Sequence, residues 1–279
     1  MMRDCGISMR LKGVFARIFH IGKYATRLLV VMALALVFFI LQHNGLVWFN
    51  MPSDKSYPMK GVDVSAHQGK IDWQILKSQN ISFAFIKATE GSTWVDKRFA
   101  YNFAESRKQG LYVGAYHFFS FDSSGLTQAQ NFIDNVPNIR DFKALPPVVD
   151  IEFYGPKAKN PPSPQKVYAE LDRLLVALEK HYKIKPIIYT TPSFYDMYLR
   201  ERYAKAYMEN PLWIRSVFFA PDSVWARLFN VYIQSWSFWQ YDPQGVLKGY
   251  SGGEKHIDLN AFNGDEKQLQ SWLKKQRIH

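Results

Sequence analysis

Apolar residues form one long run near the N-terminus of the 279-residue chain and a series of shorter runs after it. Leu28 to Leu41 are 14 consecutive apolar residues, and as a helix they would extend only about 21 Å. Continuing the helix to Phe49 gives about 33 Å, which is enough to cross a bilayer, with Trp48 at interfacial depth. The pattern therefore predicts one transmembrane helix over residues 28–49.

Basic residues on the N-terminal side of this run predict its orientation. Residues 1–50 hold six Lys or Arg and one acidic residue, so +5 of the formal net charge of +11 lies there. The positive-inside rule then places residues 1–27 in the cytoplasm and everything after residue 50 on the periplasmic or extracellular side. A cleaved signal peptide is the alternative, but no Ala-x-Ala-like site follows the run. We therefore expect an uncleaved anchor and a single-pass membrane protein.

The remaining charge of +6 is spread along the chain without an arginine-rich stripe. This distribution favours solubility and weak attraction to anionic envelope polymers, and we expect no nucleic-acid partner. The one cysteine, Cys5, precedes the apolar run, so a disulfide framework or thiolate metal site is excluded from the rest. No glycine-rich phosphate motif is present, and we expect no nucleotide, metal or other cofactor.

Short apolar runs rich in β-branched and aromatic residues recur after a polar, proline-containing segment over 50–60, which is typical of a linker. Eight of them predict strands: Val62–Ser65, Phe83–Lys87, Tyr112–Phe118, Val148–Ile151, Ile187–Thr190, Leu212–Ile214, Val231–Trp236 and Ile257–Asn260. Helical periodicity lies between some of them, as in Lys97–Lys108, which stops at Gly110, and Gln165–His181. The alternation predicts parallel βα units and an α/β fold. We expect a single TIM-like β/α barrel over 61–279 with fewer than eight regular helices.

Four acidic residues interrupt these apolar runs: Asp63 in the first, Asp150 and Glu152 at the end of the fourth, and Asp258 in the last. Inward-facing carboxylates are costly unless they are paired, and functional groups of a parallel barrel lie where strands end. Asp150 and Glu152 are two residues apart, so their side chains share a face with backbones roughly 6.6 Å apart. Mutual repulsion raises a pKa in such a pair, which is the condition for a general acid at neutral pH.

The chain after residue 60 contains a series of short motifs whose order indicates one particular family. The external segment resembles glycoside hydrolase family 25, the Chalaropsis-type lysozymes or muramidases. The agreement covers nearly all of this segment: Gly61-Val62-Asp63-Val64-Ser65, His67-Gln68-Gly69, Ile71-Asp72-Trp73, Phe85 to Gly91, Gly114-Ala115-Tyr116-His117-Phe118, Asp150-x-Glu152, Leu212-Trp213-Ile214, Trp239-Gln240-Tyr241 and Asp258-Leu259-Asn260.

The resemblance implies hydrolysis of the β-1,4 bond between N-acetylmuramic acid and N-acetylglucosamine in peptidoglycan glycan strands. It implies Glu152 as the catalytic acid and Asp150 as the residue that orients or stabilises a participating N-acetyl group. It implies that Asp63 and Asp258 position the sugar and tune these two groups. The strand spacing alone leaves the catalytic route open, because it is compatible with several carboxyl separations.

Further side chains are predicted to line a sugar cleft, and the aromatic ones among them can stack on pyranose faces. They are Lys87, Tyr116, Tyr189, Trp213, Gln240 and Tyr241. Lys87 is expected to pair with Asp63 or to hold a substrate oxygen. Phe83, Phe85, Phe118 and Trp236 are expected to be core residues, and His67 and His117 structural histidines rather than metal ligands.

One segment departs from the family pattern. After Trp213-Ile214 the family commonly continues with small residues and a tyrosine, whereas this chain has Arg215-Ser216-Val217-Phe218-Phe219. We expect a monomeric muramidase that reaches the membrane through its N-terminal helix and remodels the envelope locally. The alternatives are a non-catalytic glycan-binding barrel and a barrel glycosidase acting on chitin-like polymers.

Overall fold

The computed structural model describes residues 23–41, 50–138, 140–205, 208–229, 232–233 and 235–277. The chain divides into two units, residues 1–49 and residues 50–279. The first unit contains helix α1 (Lys23–Leu41), whose mean hydropathy of 2.4 makes it long and apolar enough to cross a membrane, a test that signal sequences also pass. The rest of the predicted span, residues 42–49 with Trp48, lies outside the described residues, as do residues 1–22.

The second unit is a closed barrel. Its strands are β1 (Lys60–Val64), β2 (Ile81–Glu90), β4 (Tyr112–Phe118), β5 (Val148–Asp150), β6 (Ile187–Thr190), β7 (Leu212–Arg215), β8 (Phe238–Gly245) and β9 (Ile257–Phe262), while the short β3 (Trp94–Val95) pairs only with β2. β1 pairs with both β2 and β9, which closes the sheet. The structure confirms the predicted barrel.

The direction of the last strand differs from the prediction. β9 is antiparallel to both of its neighbours, β8 and β1, whereas all other barrel pairs are parallel. The connection from β8 to β9, residues 246–256, is too short for the crossover that a parallel return requires. The amino end of β9 therefore lies beside the carboxyl ends of the other barrel strands.

The strand predicted at Val231–Trp236 is wrong, because β8 begins two residues after this segment ends. Val231 and Gln234 lie outside the described residues, and the other four positions belong to no strand. Ile233 and Trp236 are apolar because they pack on the outside of the barrel. Trp236 contacts the rings of Tyr57 and Trp239, at 5.9 and 6.0 Å between centroids.

The helices are α2 (Trp73–Lys77), α3 (Phe99–Lys108), α4 (Gly125–Asn135), α5 (Pro164–Tyr182), α6 (Pro192–Phe194), α7 (Arg200–Ala204), α8 (Val224–Leu228) and α9 (Glu266–Gln276). A π-helical turn, Tyr195–Leu199, joins α6 to α7. Of the barrel helices that can be described, α3, α4, α5 and α9 have ten residues or more. The predicted helices at Lys97–Lys108 and Gln165–His181 correspond to α3 and α5, and Gly110 has φ +74° after the end of α3.

Aromatic side chains fill the barrel interior below the mouth. Phe85 stacks on Trp213 at 4.5 Å between ring centroids and contacts Phe238 edge-on at 5.1 Å. Phe83 packs beside them, and the position of a Cβ on Gly61 would lie 2.3 Å from its ring. Glycine in β1 therefore makes room for this ring. The packed interior supports the floor of the mouth.

Residues 50–60, predicted as a linker, lie against the barrel. Tyr57 contacts Trp236 and Trp239, and Met59 is buried in the interior cluster. The Lys60 ammonium is also buried, and it donates to the Pro52 carbonyl at 2.6 Å. The segment is part of the folded unit.

Candidate active site

A cleft of about 430 Å³ opens at the mouth of the barrel, where parallel strands end and β9 begins. Nine of the ten predicted site residues line it: Asp63, Lys87, Tyr116, Asp150, Glu152, Tyr189, Trp213, Gln240 and Asp258. The tenth, Tyr241, is excluded from the cleft by strand alternation. It lies on the outer face of β8, where its ring is 5.7 Å from that of Trp239.

Strand register explains how acids far apart in sequence meet. Asp63 in β1 and Asp258 in β9 are direct partners in the antiparallel pair. Asp150 ends β5, and Glu152 follows two residues later on the same side. The antiparallel direction of β9 brings Asp258, near its amino end, to the mouth.

A hydrogen-bond network holds Asp63 in place. Its Oδ1 accepts from Asn260 Nδ2 at 2.6 Å and from Gln240 Nε2 at 3.0 Å. Gln240 Oε1 in turn accepts from the Tyr189 hydroxyl at 2.8 Å, and Asn260 Oδ1 accepts from Trp213 Nε1 at 2.8 Å. The polar atoms of Tyr189 and Trp213 are thus engaged in orienting Asp63.

The neighbouring carboxyl groups of Asp63 and Asp258 affect each other's pKa. Burial raises the pKa of Asp258 well above its ordinary value, and the neighbouring charge of Asp63 raises it further. Burial also raises the pKa of Asp63, but its hydrogen bonds from Asn260, Gln240 and Asp258 lower it in opposition. The pair therefore holds a proton more tightly than free carboxyls do, since two close carboxylates disfavour each other's ionisation.

Asp150 and Glu152 both hold protons more tightly than free carboxyls. Burial, followed by the charges of Glu152 and Asp63, raises the pKa of Asp150 well above its ordinary value. Burial also raises the pKa of Glu152, although the Arg215 guanidinium lowers it. Asp150 Oδ1 is buried and has no hydrogen-bond partner among the described residues. Glu152 is less enclosed and faces the cleft.

Of the two alternatives predicted for Lys87, pairing with Asp63 is wrong. Its ammonium lies 2.8 Å from Glu90 Oε2, and 4.8 and 4.9 Å from the ring centroids of Trp94 and Phe118. Phe118, expected in the core, is half-buried and lines the cleft. Lys87 still lines the cleft, and its charge lowers the pKa of Asp150.

His117 is a neutral side chain that is held by hydrogen bonds to other buried residues. Its Nδ1 lies 2.7 Å from Thr89 Oγ1 and its Nε2 lies 3.1 Å from Gln128 Oε1. Burial lowers the pKa of His117 to about 4. His67 lines the cleft. In the described part of the chain, no group of three or more His, Cys, Asp or Glu side chains has an arrangement suited to a metal ion.

The family model of glycosyl hydrolases family 25 matches residues 62–250, which include three of the four predicted catalytic acids, Asp63, Asp150 and Glu152, but not Asp258. The chain belongs to glycosyl hydrolases family 25. The match confirms the resemblance that the sequence motifs indicated, and it identifies the barrel as that of a glycoside hydrolase.

One family member with a solved structure shares this barrel, and two further proteins are similar in sequence. A family 25 glycosyl hydrolase from Bacillus anthracis is 47% identical with a TM-score of 0.69, and the match covers 80% of this chain and 96% of that chain. Lysozyme M1 of Streptomyces globisporus is 34% identical over 228 residues, 78% of this chain and 72% of its own length. The Escherichia coli protein YegX is 35% identical over 226 residues, with 78% and 74% covered.

Two residues of this family 25 site were missed in the sequence. Asn260 follows Asp258 by two residues on the same strand face, so its contact with Asp63 could have been found from strand periodicity. Arg215 follows Trp213 in the same way, and its positive charge acts on Asp63, Glu152 and Asp258. It lies where the sequence departs from the family pattern.

Replacing Arg215 by Met should move the alkaline limb of the pH–activity profile to higher pH. The substitution removes the charge that lowers the pKa of Glu152, so that pKa rises. An acid catalyst loses activity as pH rises through its pKa, and a higher pKa preserves activity to higher pH. The profile of kcat/KM against pH measures this, with Arg173→Met on the exposed face of α5 as the control. An alkaline limb that stays in place would show that Arg215 does not act on the titrating acid.

Proposed function

We propose that this family 25 enzyme is an N-acetylmuramidase that cleaves the β-1,4 bond between N-acetylmuramic acid and N-acetylglucosamine in peptidoglycan. The observation that carries the proposal is the meeting of four carboxyl groups with raised pKa values in one cleft. The names of relatives support it, among them Lysozyme M1 and the N,O-diacetylmuramidase of Chalaropsis.

Glu152 is the general acid in this proposal. Its side chain faces the cleft, and its raised pKa keeps the proton on Glu152 to a higher pH than on a free carboxyl. The proton goes to the glycosidic oxygen as this oxygen leaves the anomeric carbon, and the carbonyl oxygen of the substrate's N-acetyl group forms the new bond to that carbon. Water then attacks the same carbon, which releases the N-acetyl oxygen and completes the hydrolysis. Arg215 limits how far the pKa rises, so that Glu152 can still release the proton.

Asp150 orients the N-acetyl group of the substrate. Its buried Oδ1 is without a hydrogen-bond donor within the described structure, and an unsatisfied buried acceptor is costly. A substrate amide N–H would supply the donor. A donor also favours the ionised form of Asp150, which leaves Glu152 as the protonated member of the two. Substrate binding therefore sets both groups in their working protonation states.

Asp63 and Asp258 form the floor of the cleft with the network of Gln240, Asn260, Tyr189 and Trp213. Because the polar atoms of Tyr189 and Trp213 are bound to this network, we assign them to positioning rather than to sugar recognition. Tyr116 is half-buried and lines the cleft, which leaves its ring as the stacking surface for a sugar.

The enzyme acts as a monomer anchored by its N-terminal helix, with the barrel on the periplasmic or extracellular side. The length and mean hydropathy of α1 support the anchor. The basic residues before the apolar run support the orientation.

Identifying the new reducing end tests the substrate. Purified peptidoglycan and chitin oligomers are each incubated with the enzyme, and the products are reduced with borohydride and analysed by mass spectrometry. We expect reduced N-acetylmuramic acid from peptidoglycan and no cleavage of chitin. New N-acetylglucosamine ends, or chitin cleavage, would identify a different glycosidase. Binding to peptidoglycan without any new ends would identify a glycan-binding barrel.

A further inference from the structure

Large apolar side chains are exposed together on the segment that connects β7 to β8. Val224, Leu228, Phe229 and Trp225 have exposed fractions of 79, 69, 60 and 59%. Phe219 joins them, since its ring stacks on Phe229 at 5.3 Å and on Trp225 at 6.5 Å between centroids. We call these five residues, with Phe218, the apolar patch. A contiguous exposed apolar surface marks an interaction site.

The short helix α8 turns its apolar side outward. Ala226 is its buried residue, whereas Val224, Trp225 and Leu228 face solvent. Arg227 lies among them and donates to the Tyr232 hydroxyl at 2.7 Å. Aliphatic side chains mixed with Trp, Tyr and Arg are typical of a bilayer interface. A sugar platform would instead require several polar partners beside its rings.

The position of Asn50 indicates what covers the apolar patch. Asn50 is the residue directly after the predicted transmembrane segment, and its Nδ2 donates to the Ser216 carbonyl at 2.9 Å. Ser216 Oγ then donates to the Phe219 carbonyl at 2.6 Å. The residue that directly follows the predicted transmembrane segment is therefore connected through two hydrogen bonds to the segment that carries the apolar patch.

We propose that the apolar patch docks on the phospholipid bilayer that holds the N-terminal helix. The proposal rests on the anchor included in the proposed function. The patch follows β7, so it leaves the barrel at the end where the cleft opens. Docking would hold the rim of the cleft near the membrane and direct the enzyme to the glycan strands that lie closest to it.

Lipid quenching of a fluorescent probe tests the docking. The full-length chain carries Cys5→Ser, with either Val224→Cys or Val176→Cys labelled with an environment-sensitive maleimide. Val176 is the matched control, since it is 65% exposed on α5. Each protein is reconstituted into vesicles of phosphatidylethanolamine and phosphatidylglycerol with and without brominated lipid. We expect the Val224 probe to lose about half of its fluorescence, as a group inserted at the interface would, and the Val176 probe to lose little.

Leu228→Asp in the Val224→Cys protein should reduce the quenching, because a charge opposes insertion. Equal quenching of the two probes in protein that stays with the vesicles after alkaline extraction would overturn the docking alone. Loss of the protein from the vesicles on extraction would overturn the anchor and the docking together. A blue-shifted Val224 probe that brominated lipid does not quench would indicate a second copy of the chain on the patch, and would also overturn lipid docking.

Discussion

Replacing Glu152 by Gln is expected to slow peptidoglycan cleavage by about 10²- to 10⁴-fold, the usual contribution of a general acid. Gln keeps the size of the side chain, but its amide is not acidic enough to protonate the leaving oxygen. The raised pKa of Glu152 is the property that the substitution removes. The rate of reducing-end release under saturating substrate measures the effect, and KM should change little.

Two comparisons separate this role from a structural one. Glu209→Gln changes an exposed carboxylate that pairs with Lys185, and it should leave the rate unchanged. An aryl glycoside with an acidic phenol leaves without protonation, so the loss in Glu152→Gln should be much smaller on this substrate. Equal losses on both substrates would assign Glu152 to positioning, and an unchanged rate on peptidoglycan would remove it from the mechanism.

Asp150→Asn should lower kcat by about 10²- to 10³-fold, which is typical for loss of one electrostatic contact to the transition state. Asn has the same shape, but it cannot become an anion. In the proposed mechanism the Asp150 anion accepts a hydrogen bond from the substrate amide N–H and stabilises positive charge on the participating N-acetyl group. Burial makes this site sensitive, because no water shell replaces the lost charge.

The control for Asp150→Asn is Asp134→Asn, an exposed position on α4 whose carboxylate accepts from Gln130. Initial rates on peptidoglycan and thermal unfolding of each variant are compared. A stable Asp150→Asn enzyme with wild-type turnover would show that the anion is not needed, and the N-acetyl route would then have no residue to support it.

Strand periodicity predicted that Asp150 and Glu152 share a face, whereas the other predicted cleft residues came from their positions in the strands and from the family resemblance. Asp150 and Glu152 line the same cleft, and Asp63 lies opposite Asp258 in the sheet. The predicted barrel needed only the alternation of apolar runs with helical segments. These features are local in sequence, so a single chain reveals them.

The incorrect predictions concern apolar residues, because an apolar run can be either a strand of the barrel or a segment that covers its outside. Ile233 and Trp236 are apolar because they cover the outside of the barrel, yet their pattern is that of a strand. The misplaced strand also hid the alternation of β8, in which Gln240 points into the cleft and Tyr241 points away. Composition likewise cannot distinguish the exposed Trp225 from a buried tryptophan, because only the fold shows what covers a side chain.

Because residues 50–60 pack against the barrel, they determine the residue at which a truncated enzyme without the apolar helix should begin. A chain cut at Gly61, the boundary that sequence composition suggests, would lose Tyr57 from the rings of Trp236 and Trp239 and leave this surface open to aggregation. It would also lose Met59 from the interior and the Lys60 residue that begins β1. Starting at Asn50 removes the apolar helix and keeps the barrel whole, which makes the enzyme accessible to kinetics without detergent.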